Sequence, residues 1–365
     1  MRNSDSGVAA QPAKISTVEE KTMSATTDPY IREQLVKRQQ EIAAAMEAIG
    51  RSLDIDPFQD LLQEVGSAIQ RIDEGTYGIC DECHDSIEKD RLIADPLVTL
   101  CLDHLTDAGR RALERDIELA ARIQRGLLPQ PDVRFRDWRV QYQYKPAGMV
   151  SGDYCDLISP ASGEAEGDGK LIFLLGDVTG KGVAASLLMS HLHAMFRTLA
   201  GLGLELDNLL QTANRVFCES TIAGQYATLI CGRAGRQGEI ELTSAGHFPA
   251  LIVAKDGVRQ IPATGLPLGM FSTSRYTVQR VCLEPGDSLL LYTDGISEAN
   301  SPSGKEYGVE GIMRVARERH GWAPHELAAA CFKDVQNFSS GAPAVDDQTL
   351  MILHRTDSAG LSLGE

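Results

Sequence analysis

Four short acidic motifs constrain this chain more than any other feature. In order they read Ser151-Gly152-Asp153-Tyr154-Cys155-Asp156, Gly176-Asp177-Val178-Thr179-Gly180-Lys181-Gly182, Tyr292-Thr293-Asp294-Gly295 and Asp346-Asp347-Gln348-Thr349. Each sets an aspartate beside glycine or at the edge of an apolar run such as Leu171–Leu175 or Leu289–Tyr292. Apolar runs of that length, bounded by turn residues, read as buried strands. The aspartates are therefore expected at strand ends, where carboxylates from distant parts of a chain converge. One Asp-Gly alone is most often only a turn, but a series of them at strand edges asks for more. Clustered buried carboxylates do not stay ionised without compensating positive charge. The hard cations Mg²⁺ and Mn²⁺ supply it and prefer oxygen ligands. On their own, the residues predict a carboxylate-lined Mg²⁺ or Mn²⁺ site suited to phosphate chemistry.

Together with Ala245-Gly246-His247-Phe248-Pro249, Gly265-Leu266-Pro267-Leu268-Gly269, Asp294-Gly295-Ile296-Ser297-Glu298-Ala299 and Tyr307-Gly308, these motifs carry a resemblance. Their order and spacing, from about Ile117 to about His354, resemble the SpoIIE/RsbU-type branch of the PPM (protein phosphatase 2C-like) serine/threonine phosphatases. The resemblance implies an α+β fold, the PPM-type α-β-β-α sandwich of two packed antiparallel sheets flanked by helices. It also implies two divalent ions between the sheet edges. Carried over residue by residue, Asp153 and Asp177 become ligands, with Asp177 bridging both ions and the Val178 carbonyl adding another. Asp294 and Asp346 become the ligands of the opposite side, with Asp347 left as an alternative to Asp346. These aspartates are catalytic in that they hold ions that activate water for in-line attack on a phosphoryl group. The remaining work is positioning and electrostatic stabilisation. No Cys-x5-Arg loop is present to suggest a thiol mechanism. The general acid stays open: Val178 and Thr179 stand where eukaryotic members carry histidine, and His247 reads as structural.

A second constellation lies upstream. Cys80-x2-Cys83 and Cys101-x2-His104 are ligand pairs separated by seventeen residues, a spacing that suits tetrahedral Zn²⁺ with N and S ligands. Four protein ligands fill the coordination sphere, so this zinc is expected to be structural. Residues Gly75 through Cys83, Arg91-Leu92 and Pro96 through Cys101 are similar to the DksA/TraR zinc-finger family, with His104 in place of its usual fourth cysteine. That family places a helical hairpin before the finger. Leu35, Ile42, Ile49 and Leu53 keep one helical seam here; Phe58, Leu61, Val65, Ile69 and Ile72 keep another, with the turn at Asp56-Pro57. Relatives bind RNA polymerase through acidic hairpin tips, and Asp54 and Asp56 occupy the corresponding tip. An RNA-polymerase-associated or docking regulator is therefore the competing functional class. Retention of all the metal-motif aspartates speaks for the enzyme.

The expected organisation is a polar, disordered tail at 1–28, the hairpin and finger at 29–106, a linker helix at 107–130, the phosphatase domain at 131–356 and a flexible tail at 357–365. In the linker, Leu113, Ile117, Ala120, Gln124 and Leu127 make a coiled-coil seam that Pro129 and Pro131 terminate. The stretch Ala121 to Pro129 resembles the segment that joins sensory modules to this phosphatase domain and takes part in dimerisation, which implies a homodimer. A net charge of −16 argues against direct nucleic-acid or anionic-membrane binding. No apolar run approaches the roughly 20 residues a bilayer span needs, and Met1 to Thr27 lacks a signal-peptide pattern. Cys155, Cys218, Cys231, Cys282 and Cys331 read as buried thiols of a reducing compartment, so the expected location is the cytoplasm. The branch resemblance implies a phosphoserine or phosphothreonine substrate on a STAS-domain anti-sigma-factor antagonist in a partner-switching pathway.

Overall fold

The computed structural model describes residues 31–32, 35–40, 42–43, 56–88, 91–92, 95–104, 107–160, 169–221 and 224–356. The chain divides into two compact units, Met1–Ala112 and Leu113–Glu365.

In the first unit, helix α1 (Asp56–Asp73) lies antiparallel to a helical stretch at 35–40. Arg32 pairs with Asp73 at 2.8 Å, while Gln39 lies beside Gly66. Ile31, Leu35 and Ile42 pack with Val65, Ala68 and Tyr77, and Leu61, Ile69 and Ile72 flank them. These are the apolar seams read from the sequence. Ile49, Leu53 and the acidic tip at Asp54 lie outside the described residues, and of Asp56, Pro57 and Phe58 only the helical backbone is described.

The second unit begins within helix α2 (Asp107–Leu127). One sheet contains β1 (Asp132–Phe135), β2 (Trp138–Lys145), β7 (Ala250–Ala254), β8 (Gly257–Ile261), β10 (Ser288–Tyr292) and β11 (Gln348–Arg355), in the order β1-β2-β11-β10-β7-β8. The other contains β3 (Tyr154–Ile158), β4 (Leu171–Val178), β5 (Ala227–Ala234), β6 (Glu239–Ala245) and β9 (Gln279–Cys282), in the order β3-β4-β5-β6-β9. Every ladder is antiparallel. Trp138, Phe173, Leu175, Leu289, Leu291 and Met351 fill the space between the sheets. The outer face of the second sheet is covered by α3 (Gly182–Ala200) and α4 (Leu206–Ser220) through Tyr154, Leu174, Phe196 and Phe217. After the short helix α5 (Asp294–Ser297), α6 (Gly308–Glu318) and α7 (Pro324–Phe338) cover the first sheet through Leu290, Ile312, Leu327 and Ile352.

Covering both faces explains why the apolar runs are continuous rather than alternating: successive side chains of β4 point to opposite faces, and each face meets a packed layer. Each large side chain fully buried this way stabilises the fold by about 1.5–3 kcal/mol. The result is the expected α-β-β-α sandwich. No helix among the described residues is long and apolar enough to cross a membrane.

Candidate metal centres

Strand register draws the acidic motifs together in two steps. Tyr154 lies opposite Gly176 on β3 and β4, which sets Asp153 beside Asp177. Tyr292 lies opposite Leu350 on β10 and β11, which sets the Asp294 turn beside Asp346–Gln348. The sandwich then joins the two pairs. The hydroxyls of Thr293 and Thr349, from one sheet, both donate to Asp153 Oδ2 on the other, at 3.0 and 2.5 Å. Two glycines permit the approach. A Cβ on Gly295 would sit 2.1 Å from the Asp347 carbonyl oxygen; one on Gly152 would sit 3.1 Å from the Val178 carbonyl oxygen and 3.2 Å from Asp177 Oδ1. Real Cβ atoms do not tolerate the first distance, so the glycine of Asp294-Gly295 serves close packing rather than a turn alone.

The individual carboxylates differ in what holds them. Asp153 is fully buried, and its Oδ1 has no hydrogen-bond partner. Asp177 and Asp294 are less enclosed and face one another and Asp346 electrostatically. Asp346 is 40 % exposed and pairs with Lys181 Nζ at 2.9 Å. Asp347 is buried, and its two oxygens accept the backbone N–H groups of Ala147 at 2.7 Å and Gly152 at 2.9 Å. It acts as a clamp on the 147–152 loop, which leaves Asp346 as the better-disposed donor of the pair.

Burial and the charge of Asp177 hold the Asp153 carboxyl well above the usual carboxylate range. Burial, then Asp294, Asp346 and Asp347, push Asp177 up to about 7. Burial and Asp346 push Asp294 up to about 6. Like-charged groups with one orphaned buried oxygen are the signature of a site built for positive charge. The donor set, all oxygen, fits Mg²⁺ or Mn²⁺.

The first unit brings together Cys80, Cys83, Cys101 and His104, whose ligand atoms all lie within 4.8 Å of one another. Cys83 and Cys101 sulfurs are 3.8 Å apart, and Cys101 Sγ is 3.2 Å from His104 Nδ1. Tetrahedral Zn–S bonds of about 2.3 Å place two sulfurs about 3.8 Å apart. Burial opposes ionisation of Cys80, yet backbone N–H groups of Cys83, Cys101 and Glu82 lower its thiol to about 6. The cluster fits zinc, with His104 as the fourth ligand.

Other residues of the motifs have structural duties. His247 is buried; its Nδ1 accepts from the Thr228 hydroxyl at 2.9 Å and its Nε2 donates to the Tyr292 carbonyl at 3.1 Å. Burial lowers its pKa to about 4, so it stays neutral behind β10. Asp156, also fully buried, receives Arg197 of α3 at 2.6 and 2.9 Å and ties that helix to β3. Burial raises the Cys155 thiol far above its ordinary value, which makes it inert.

Sequence reasoning assigned no role to Thr293 or Thr349, although both stand inside the quoted motifs. It read Gln124 as part of a helix-pairing seam. Instead Gln124 is buried, donates to the Ser151 carbonyl at 2.7 Å and accepts the Ser151 N–H at 3.0 Å. Ala121 is buried beside it, while Leu113, Leu119 and Ile123 are exposed apolar residues of this helix. Gln124 thus serves the catalytic unit, while Leu113 of the same seam is exposed. A glutamine amid apolar positions was the available signal.

The family model for Stage II sporulation protein E (SpoIIE) matches residues 167–356, and that for the prokaryotic dksA/traR C4-type zinc finger matches 75–103. Protein IcfG of Synechocystis sp. is 24% identical over 286 residues, 70% of this chain and 44% of that protein. Phosphoserine phosphatase RsbU of Bacillus subtilis is 27% identical over 206 residues, 55% of this chain and 59% of that protein. The chain therefore spans about half the length of these curated relatives. Among solved structures, the SiaA-PP2C domain of Pseudomonas aeruginosa superposes with a TM-score of 0.58 at 18% identity, covering 69% of this chain and 100% of that one. That likeness establishes the PP2C-like fold. With more than half of its residues matched by the SpoIIE model, on a sandwich whose strand edges gather the acidic motifs, the chain belongs to the SpoIIE family and carries a dksA/traR-type zinc finger ahead of the family's domain.

Proposed function

We propose that the chain is a metal-dependent serine/threonine phosphoprotein phosphatase. The observation that carries this reading is the orphaned, fully buried Oδ1 of Asp153 inside a converging array of aspartates whose charges raise one another. Asp153, Asp177, Asp294, Asp346 and the Val178 carbonyl would hold two Mn²⁺ or Mg²⁺ ions. Bound there, the ions would lower the pKa of a water and neutralise charge on the phosphoryl oxygens during in-line displacement. The chain's own residues do the positioning. Thr293 and Thr349 orient Asp153, Asp347 fixes the 147–152 loop, and Lys181 sets a cation at the mouth beside Asp346.

The substrate would be a phosphoserine or phosphothreonine on a STAS-domain anti-sigma-factor antagonist, consistent with the similarity to a protein named phosphoserine phosphatase. The zinc would be structural, and a homodimer would use the exposed Leu119 and Ile123 of α2. The test is Mn²⁺-dependent phosphate release from a small aryl phosphate and from a phosphorylated STAS-domain protein, with Asp177→Asn beside wild type. Activity on both that vanishes in the variant is expected. No activity on either substrate, with and without residues 1–107, would refute the enzyme reading.

A further inference from the structure

The catalytic array opens sideways into a groove of about 990 Å³. Its walls are the end of β2, the 298–302 loop, α7 and the 339–346 segment; Gly295 and Asp346 belong both to it and to the metal site. A phosphate group alone needs a small fraction of that volume, since whole drug-sized ligands fill about 300–1,000 Å³. The floor mixes Phe332 and Val335 with the amides of Gln143 and Gln348, which is what an extended peptide with alternating side chains and a polar backbone requires.

Two acidic and two basic side chains line the groove. Glu298 and Asp346 stand at the metal end, where divalent ions would neutralise them. Lys145, exposed at the end of β2, and Lys333, exposed on α7, also line it, and neither pairs with a carboxylate among the described residues. On a chain of net charge −16, two unpaired cations beside the catalytic mouth are a local reversal of the surface sign. Such a reversal favours anionic groups that are repelled elsewhere.

We propose that this groove seats the polypeptide flanking the phosphorylated residue, and that Lys145 and Lys333 select substrates with acidic residues beside the phosphoserine or phosphothreonine. The proposal rests on the phosphatase reading and adds the specificity it leaves open. The metal array removes the phosphate; the lysines choose which chain presents it.

The test uses the full chain with Mn²⁺ and two fluorescent serine peptides, one flanked by glutamates and one by alanines. Affinity for the unphosphorylated peptides is read by anisotropy, where no turnover intervenes. For the phosphorylated forms, kcat/KM is taken as a ratio to that for a small aryl phosphate. Wild type should bind the glutamate-flanked peptide more tightly, and the double variant Lys145→Glu/Lys333→Glu should lose roughly tenfold in affinity and in the ratio. A lysine-flanked peptide should recover both with the double variant, which separates charge reading from misfolding. Equal affinity of wild type for glutamate and alanine flanks, or a preference the charge reversal leaves intact, would overturn the assignment. Failure of wild type to hydrolyse any ester would instead count against the phosphatase reading, with the binding arm still deciding whether the groove reads acidic flanks.

Discussion

Neighbouring carboxylates at 346 and 347 should respond to substitution in opposite ways. Asp347 accepts two backbone N–H groups in a buried setting, at 2.7 and 2.9 Å. Hydrogen bonds to a charged group contribute about 1.5–3 kcal/mol each, so Asp347→Ala loses about 3–6 kcal/mol. Relief of repulsion against Asp153 and Asp177 offsets part of that, leaving a net cost near 3 kcal/mol. The urea midpoint should drop by about 1 M or more. Asp346→Asn gives up only an ion pair with Lys181 whose partners are 40 % and 62 % exposed, worth about 0–1 kcal/mol. It also removes a charge that raises both Asp177 and Asp294. The metal-free variant should therefore be as stable as wild type or more so, while its Mn²⁺ affinity collapses. Urea melts in chelator and in excess Mn²⁺, with calorimetric Mn²⁺ titration, read both quantities. If Asp347→Ala melted like wild type but bound no Mn²⁺, while Asp346→Asn bound it normally, the clamp-and-ligand reasoning would be refuted.

Three further outcomes are expected. Asp177 and Asp294 are raised to about 7 and about 6, against about 3.9 for an unfolded aspartate. The folded state thus holds protons the unfolded chain has released, so the contribution of these two groups to metal-free stability is full below about pH 4 and is lost as pH rises through about 7. The metal-free Tm should fall from pH 5 to pH 8, and Mn²⁺ should raise it more at pH 8; a pH-independent Tm with no such difference would contradict the charge cluster. In the first unit, Cys80→Ser should abolish stoichiometric zinc and unfold the finger, whereas His104→Cys should retain the ion; unchanged zinc content and thermal stability in Cys80→Ser would exclude the assigned ligand set. Arg197→Met takes the guanidinium from the buried Asp156 carboxylate, leaving it the Tyr154 hydroxyl, the Leu157 N–H and His193, and should cost about 3 kcal/mol in chemical denaturation, where a loss below about 0.5 kcal/mol would mean that the Arg197 pair does not hold α3.

Much of this was legible in one dimension because its cause is local. Leu171–Leu175 and Leu289–Tyr292 are strands because apolar runs of that length between turn residues bury well, and the Cys/His spacing announces tetrahedral chelation by itself. Leu35, Leu61 and Ile69 keep helical spacing, and the seam packs as that spacing predicts. The bonds of Gln124 were less legible, for an equally plain cause. Periodicity identifies a face but not what each residue on it meets, and Gln124 meets the Ser151 backbone.

The sequence by itself determined which elements form, which acidic motifs the strand ends gather, and that the finger and the catalytic fold are separate modules. Only the tertiary structure decided how the carboxylates divide their labour. Whether an aspartate is free to ligate depends on what surrounds it: Asp347 is buried against the N–H groups of Ala147 and Gly152, from a loop some two hundred positions away, whereas Asp346 is part-exposed beside Lys181. The same holds for Thr293 and Thr349, whose hydroxyls acquire a purpose only when one sheet packs on the other and delivers Asp153 to them. Local patterns encode what a residue is able to do; long-range packing sets which partner it does it with.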